Sequence, residues 1–175
     1  MNIGIVTPAP PGTKYGNRVT ALRWARILRK SGNRVSVSQV YERERFDLLI
    51  ALHARRSYDS IARFHRDNPG IPIIVALTGT DLYRDLLRSS RVLESLHLGA
   101  RIVALQPKAL EELPRDLRPK TRVIYQSVNS TQMIASPRVN ADPSPVRSLE
   151  RARSRSSGER DTFDVCVIGH LRPVK

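Results

Sequence analysis

The sequence predicts an α/β fold built on a doubly wound parallel sheet. Two observations carry this prediction. Short apolar runs alternate with segments of helical spacing along most of the chain, and that alternation calls for crossover units between parallel strands. The run FDLLIAL (46–52) is also continuously apolar, as expected of a strand covered by helices on both faces.

Taken in order, NIGIVT (2–7) is a short buried strand, followed by a loop containing Pro8, Pro10, Pro11, Gly12 and Gly16. Val19, Leu22, Ala25 and Leu28 then recur at three-residue spacing and predict a helix with one apolar face, which Gly32 stops. RVSVSQV (34–40) and FDLLIAL (46–52) are the next strands. A helix over 57–67 closes at Asn68-Pro69-Gly70, and IPIIVAL (71–77) is the following strand. One helix is expected from Asp81 to His97, stopped by Gly99. RIVAL (101–105) is a strand, PKALEEL (107–113) a short helix opened by a proline, and TRVIYQS (121–127) the last strand of the series.

The pattern then breaks. The organisation expected is a domain at 1–128, a basic Pro/Ser/Arg-rich linker at 129–161, and at 162–175 the first strand of a second domain, FDVCVIG (163–169), followed by HLRPVK. With 175 residues, 40% of them hydrophobic, the chain can bury a full core for one domain without a staple. A single cysteine, Cys166, allows no intrachain disulfide and supplies no metal-ligand cluster. No window approaches a spanning helix and no leader pattern opens the chain, so the expectation is a cytoplasmic protein without a membrane partner. The net charge of +14 attracts anions of every kind and does not name one.

Ligands of doubly wound sheets bind outside the carboxyl ends of the strands, so the polar groups at those ends are the candidate site. After the first strand stand Gly12, Gly16, Asn17 and Arg18. The glycines suit a close backbone approach or serve turn geometry alone, and Asn17 is a plausible cap for a helix whose amides favour an anion. Their spacing matches neither the dinucleotide fingerprint nor a P-loop. After the third strand stand His53, Arg55 and Arg56, and paired guanidinium groups suit phosphate-like oxygens. After IPIIVAL come Thr78, Gly79, Thr80 and Asp81; Asp81 is either a local helix cap or a general base. Gln106, Gln126 and Ser127 follow two further strands, where they serve sugar hydroxyls or satisfy loop backbone.

Together GIVTPAPPGTKYGNRVTALRWARIL, LIALHARRSYDSIARF, ALTGTDLYRDL, VALQPKALEELP, RVIYQS and VCVIGHLRPVK resemble segments of the GT-B glycosyltransferases related to family 4, and among these the selenosugar synthases of selenoneine biosynthesis. The resemblance covers 1–127 almost continuously and resumes at 163–175. It implies a Rossmann-like first half facing a second, with a UDP-sugar such as UDP-N-acetylglucosamine or UDP-glucose between them. It further implies selenophosphate as a small anionic acceptor, no cofactor, and no metal held by a D-x-D motif. On this resemblance the Gly12 to Asn17 loop approaches donor phosphates or acceptor, Arg18 beside it is a further substrate-binding candidate, and His53, Arg55, Arg56 and Asp81 line the acceptor side, with His53 and Asp81 as catalytic candidates. Gly169, His170, Arg172 and Lys175 would begin the donor-phosphate side. Most of the family's second half has no counterpart here, so a chain of this extent is expected to turn over little on its own.

Two rivals stand beside this reading. One is a family 4 glycosyltransferase acting on a hydroxyl acceptor. The other is a basic module binding nucleic acid by counterion release, which the 5% aromatic content disfavours because stacking platforms are scarce.

Overall fold

The computed structural model describes residues 1–126, and within them one sheet organises everything else. Its strands are β1 (Asn2–Val6), β2 (Arg34–Ser38), β3 (Leu48–Leu52), β4 (Ile73–Ala76), β5 (Arg101–Ala104) and β6 (Thr121–Val123). They form a six-stranded sheet in the order β2-β1-β3-β4-β5-β6, every pair parallel, so the fold is the predicted doubly wound α/β type. Strand order reverses between β1 and β3. That pair is the topological switch point, where loops leave toward opposite faces and open a crevice.

The helices are α1 (Gly16–Lys30), α2 (Tyr58–Asp67), α3 (Thr80–Tyr83), α4 (Ser90–Leu98) and α5 (Ala109–Glu112). Side-chain alternation along the strands divides the core in two. Ile3, Ile5, Ile50, Leu52, Ala76 and Val103 pack with Ala21, Ala25, Trp24 and Leu28 of α1. Val6, Leu49, Ala51, Val75, Ile102 and Ala104 face the other way, against Ile61 and Phe64 of α2 and Val92 and Leu96 of α4. Right-handed crossovers explain the split, because α1 leads leftward to β2 while the later helices lead rightward to β4, β5 and β6.

Several expectations need correction. Of the apolar face expected for α1, Ala25 and Leu28 do face the sheet, but Val19 and Leu22 are each 45% exposed. A strict spacing of three drifts around a helix of 3.6 residues per turn, and the buried stripe is Ala21, Trp24, Ala25 and Leu28. The single helix expected over 81–97 is two short ones. Ser89 takes an extended backbone (φ −141°, ψ 115°), the chain turns through an Arg88 to Asp85 amide bond, and α4 restarts at Ser90. Ser57 precedes α2 rather than opening it, the proline-led helix spans only Ala109–Glu112, and β6 ends at Val123.

The stop after α1 is as expected. The amide of Gly32 bonds to the carbonyl of Arg29 and that of Asn33 to Leu28, the paired bonds of a Schellman motif. Gly99 ends α4 for a different reason. Its backbone is extended, and a Cβ there would lie 3.0 Å from Cγ2 of Val75, so close packing on β4 decides the residue.

Candidate functional site

The β1 loop opens with a β-turn. Thr13 bonds back to the Pro10 carbonyl through its amide and, at 2.8 Å, its hydroxyl, and Gly12 sits at φ +78° behind Pro11. A type II turn demands that geometry, so Gly12 serves the turn. Gly16 is the first residue of α1, with a helical backbone and nothing within 4 Å of the place a Cβ would take, so neither conformation nor crowding requires glycine there. Asn17 is not the cap. The helix starts one residue before it, the capping position is Tyr15, and no side chain caps the first turn. That turn also holds no acidic residue, leaving the positive end of the helix dipole without local compensation.

Arg18 follows in the same turn. It makes no hydrogen bond or ion pair among the described residues, and its Nε and Nη1 are buried without a partner. The hydroxyl of Thr7, a residue with 0% exposure at the end of β1, is likewise buried and unpartnered.

The β3 loop is held by a dense polar network. His53, 2% exposed, has a left-handed backbone (φ +71°) that turns the chain sharply after β3. The Ser57 hydroxyl donates to the Leu52 carbonyl at 2.7 Å and the Ser95 hydroxyl to the Ala54 carbonyl at 2.8 Å. The amide of Ala54 donates to Oδ2 of Asp81 at 2.9 Å, and the amide of Thr78 donates to Oδ1 at 2.9 Å. Asp81 is 0% exposed, so its carboxylate ties the β3 and β4 loops together from below. It is the second residue of α3 rather than its cap; Gly79 occupies the capping position at φ +115°, ψ −75°.

The tautomer of His53 follows from its neighbours. The Arg56 amide points at Nδ1 at 3.4 Å, so Nδ1 accepts and the proton resides on Nε2, which donates to the Thr80 hydroxyl at 3.1 Å. Nδ1 stands 3.9 Å from Oδ2 of Asp81, beyond hydrogen-bond reach. Burial pushes the imidazole below its ordinary range and Arg56 adds to this, while Asp81 and Asp85 pull the other way. The ring is therefore a neutral group that positions Thr80.

Of the remaining residues, Arg55 pairs with Asp85 at 3.2 Å, and Arg56 lies exposed beside it with its guanidinium unpaired among the described residues. Gln106 donates to the Tyr83 hydroxyl. Gln126 donates to the Thr20 hydroxyl at 3.0 Å and accepts from Arg23 at 3.4 Å, which pins the segment after β6 to α1. The structure thus joins His53, Thr80, Asp81 and the Thr78 amide in one network, and places the start of α1 at the same carboxyl edge. Gln106 and Gln126 bond to other elements and stand outside that network. Ser127, Gly169, His170, Arg172 and Lys175 lie outside the described residues.

Sequence reasoning missed Thr7, Asp85, Ser57 and Ser95. Thr7 carried a usable signal: strand alternation puts it on the α1 face with Ile3 and Ile5. A hollow of about 620 Å³ lined by Leu86, Ser89, Leu93, Leu113 and Arg118 contains none of these candidates. Among the described residues no helix is long and apolar enough to cross a membrane, and no three His, Cys, Asp or Glu residues gather as a metal site.

Comparison with protein-family models and with curated proteins finds no match to this chain.

Proposed function

We propose that the chain is the acceptor-side half of a glycosyltransferase that transfers a sugar from a UDP-sugar to a small anionic acceptor, selenophosphate in the reading favoured by the sequence resemblance. The observation that carries this is that the β1 and β3 loops leave the switch point of the sheet with the β4 loop beside them, Arg18 standing in the first turn of α1 and Arg55 and Arg56 in the β3 loop. Crevices of this kind take ligands at the strand carboxyl ends, and an arginine-rich rim favours anions.

The chemistry fits the groups present. An acceptor that is already an anion needs no proton removed before it attacks. Its selenium forms a bond to the anomeric carbon while the bond from that carbon to the UDP oxygen breaks, and UDP leaves with the electron pair. A buried His53 whose Nδ1 lone pair faces the Arg56 amide, and a carboxylate committed to two backbone amides, suit positioning better than proton abstraction. His53 and Asp81 then act by holding the β3 and β4 loops, and Arg55 and Arg56 supply positive potential at the rim.

The test is a product assay with UDP-N-acetylglucosamine or UDP-glucose and, in parallel, selenophosphate, thiophosphate and plain alcohols, read by mass spectrometry. A sugar bonded to selenium is the expected product. A sugar bonded to an alcohol oxygen would select the hydroxyl-acceptor alternative. Absence of UDP release with every acceptor, both for this chain and for it joined to a donor-binding half, would remove the glycosyltransferase reading.

A further inference from the structure

The hollow of about 620 Å³ beside α4 belongs neither to the switch point nor to the network around Asp81. Its walls come from two successive crossovers, residues 86–93 on the way from β4 to β5 and residues 112–118 on the way from β5 to β6. The volume is that of a small-molecule site, roughly 300–1,000 Å³. Two kinds of surface line it. Leu86, Leu93, Leu113 and Pro114 are apolar, and Leu87 beside them is 95% exposed, an apolar side chain that nothing covers among the described residues. Arg88, Arg115 and Arg118 bring three guanidinium groups against one carboxylate, that of Glu112. None of the three forms an ion pair among the described residues. The carboxylates next to these walls in sequence are turned elsewhere: Asp85 faces Arg55 at 3.2 Å and Arg84 at 3.5 Å, and Asp116 faces His97 at 3.9 Å.

We propose that this hollow binds a small amphiphilic organic anion, its apolar body against the leucines and Pro114 and its acidic head at Arg118, Arg88 and Arg115. The two surfaces ask for the two halves of such a molecule. Covering the leucines rewards an apolar body and gives a bare inorganic anion nothing, while unpaired guanidinium groups reward an acidic head and repel a cationic one. Arg118 is already fixed in place. Its Nε donates to the Leu113 carbonyl at 2.9 Å and its Nη2 to the Glu111 carbonyl at 3.1 Å, which leaves Nη1 without a bond among the described residues. A charge held by two carbonyls loses little side-chain freedom when a ligand arrives. The exposed Arg88 and Arg115 then close on the head from the two crossovers. The Ser89 hydroxyl, which lines the same space and caps no amide of α4, is a further donor. None of these residues belongs to the crevice, so the site stands or falls apart from sugar transfer.

Fluorescence titration of the 175-residue chain with anilinonaphthalene sulfonate, an aromatic body with an anionic head, tests the site at constant ionic strength. Saturable binding is expected. Decanoate should displace the dye, and decyltrimethylammonium, with the same chain and the opposite charge, should do so about tenfold more weakly or worse. Inorganic phosphate should not displace it. Amide shifts on adding decanoate should fall at residues 86–93 and 112–118. Arg118→Gln should weaken decanoate about tenfold, as loss of a charged hydrogen-bonding group does. The double variant Arg88→Gln with Arg115→Gln, whose guanidinium groups hold no protein partner among the described residues, should also weaken it without disturbing the fold. Ser90→Trp, which fills the hollow from an exposed position, should abolish binding. Arg63→Gln, which removes one charge from an exposed position of α2, should leave it within about twofold. Decanoate should raise the melting temperature of the parent and of Arg63→Gln and not that of Ser90→Trp, and the melting temperatures without ligand check that each variant is folded. Shifts centred on the β1 or β3 loops, displacement by the cationic chain equal to that by decanoate, equal losses in the double variant and in Arg63→Gln, or undiminished binding in Ser90→Trp would overturn the assignment.

Discussion

The carboxylate of Asp81 accepts the amide proton of Ala54, 27 residues earlier in the chain, at 2.9 Å in a fully buried position. Its other oxygen takes the amide of Thr78, so one side chain satisfies the backbone of two loops that leave neighbouring strands. Both loops bend too sharply to satisfy these amides by a ladder, and the carboxylate replaces it.

Asp81→Asn therefore leaves one of the two amides facing an NH2 group. The expected loss is about 2–3 kcal/mol of unfolding free energy, measured by urea denaturation. A change within error would show that the two amide bonds contribute little.

Two glycines should respond oppositely to alanine. Gly79, at φ +115° and ψ −75°, holds a conformation that L residues avoid, so Gly79→Ala should cost about 1–3 kcal/mol although no atom stands in the way. Gly16 is an ordinary helical residue in open space, so Gly16→Ala should be neutral or stabilise by up to about 1 kcal/mol. Thermal melts of the two variants side by side provide the check.

Gly4 in β1 is required by packing. A Cβ there would lie 2.5 Å from Cδ2 and Cε2 of the Phe46 ring. Gly4→Ala is expected to destabilise by about 1–3 kcal/mol through overpacking. A double-mutant cycle with Phe46→Leu should recover part of that loss, because the smaller side chain can make room; strict additivity would exclude the contact as the cause.

His53 makes stability depend on pH in a stated direction. Its folded pKa lies below its unfolded value of about 6.5, so the unfolded chain binds the extra proton first as pH falls. The contribution is whole above the unfolded value and declines below it, at up to about 1.4 kcal/mol per pH unit, until the folded group also titrates. His53→Asn, which tolerates the left-handed backbone, should lose this component. Parallel denaturation curves between pH 5 and 7.5 should show the parent losing more stability than the variant on acidification; identical pH profiles would contradict the assignment.

Much of this arrangement was legible in the chain. FDLLIAL and the strands around it are apolar on both faces, and such runs, set between helical segments, fit strands interior to a parallel sheet. The alternation of strand and helix dictated crossovers, and with them the edge of the sheet at which His53, Thr80 and Arg18 would be found. Local chemistry was also readable at Gly32, whose role depends on the few residues before it.

The tertiary structure decided the rest, because those properties depend on partners distant in sequence. Which face of α1 is buried was settled by the sheet beneath it, so Ala21 and Trp24 went inward while Leu22 stayed outside. The split between α3 and α4 goes with Asp85, which is buried and paired with Arg55 at 3.2 Å. Asp81 could be read as cap or base until Ala54 and Thr78 took its two oxygens. Arg18 was a candidate by its place alone, and only folding showed that its Nε and Nη1 and the Thr7 hydroxyl are buried with no partner among the described residues, since an unmet hydrogen bond is a property of an environment and not of a residue type.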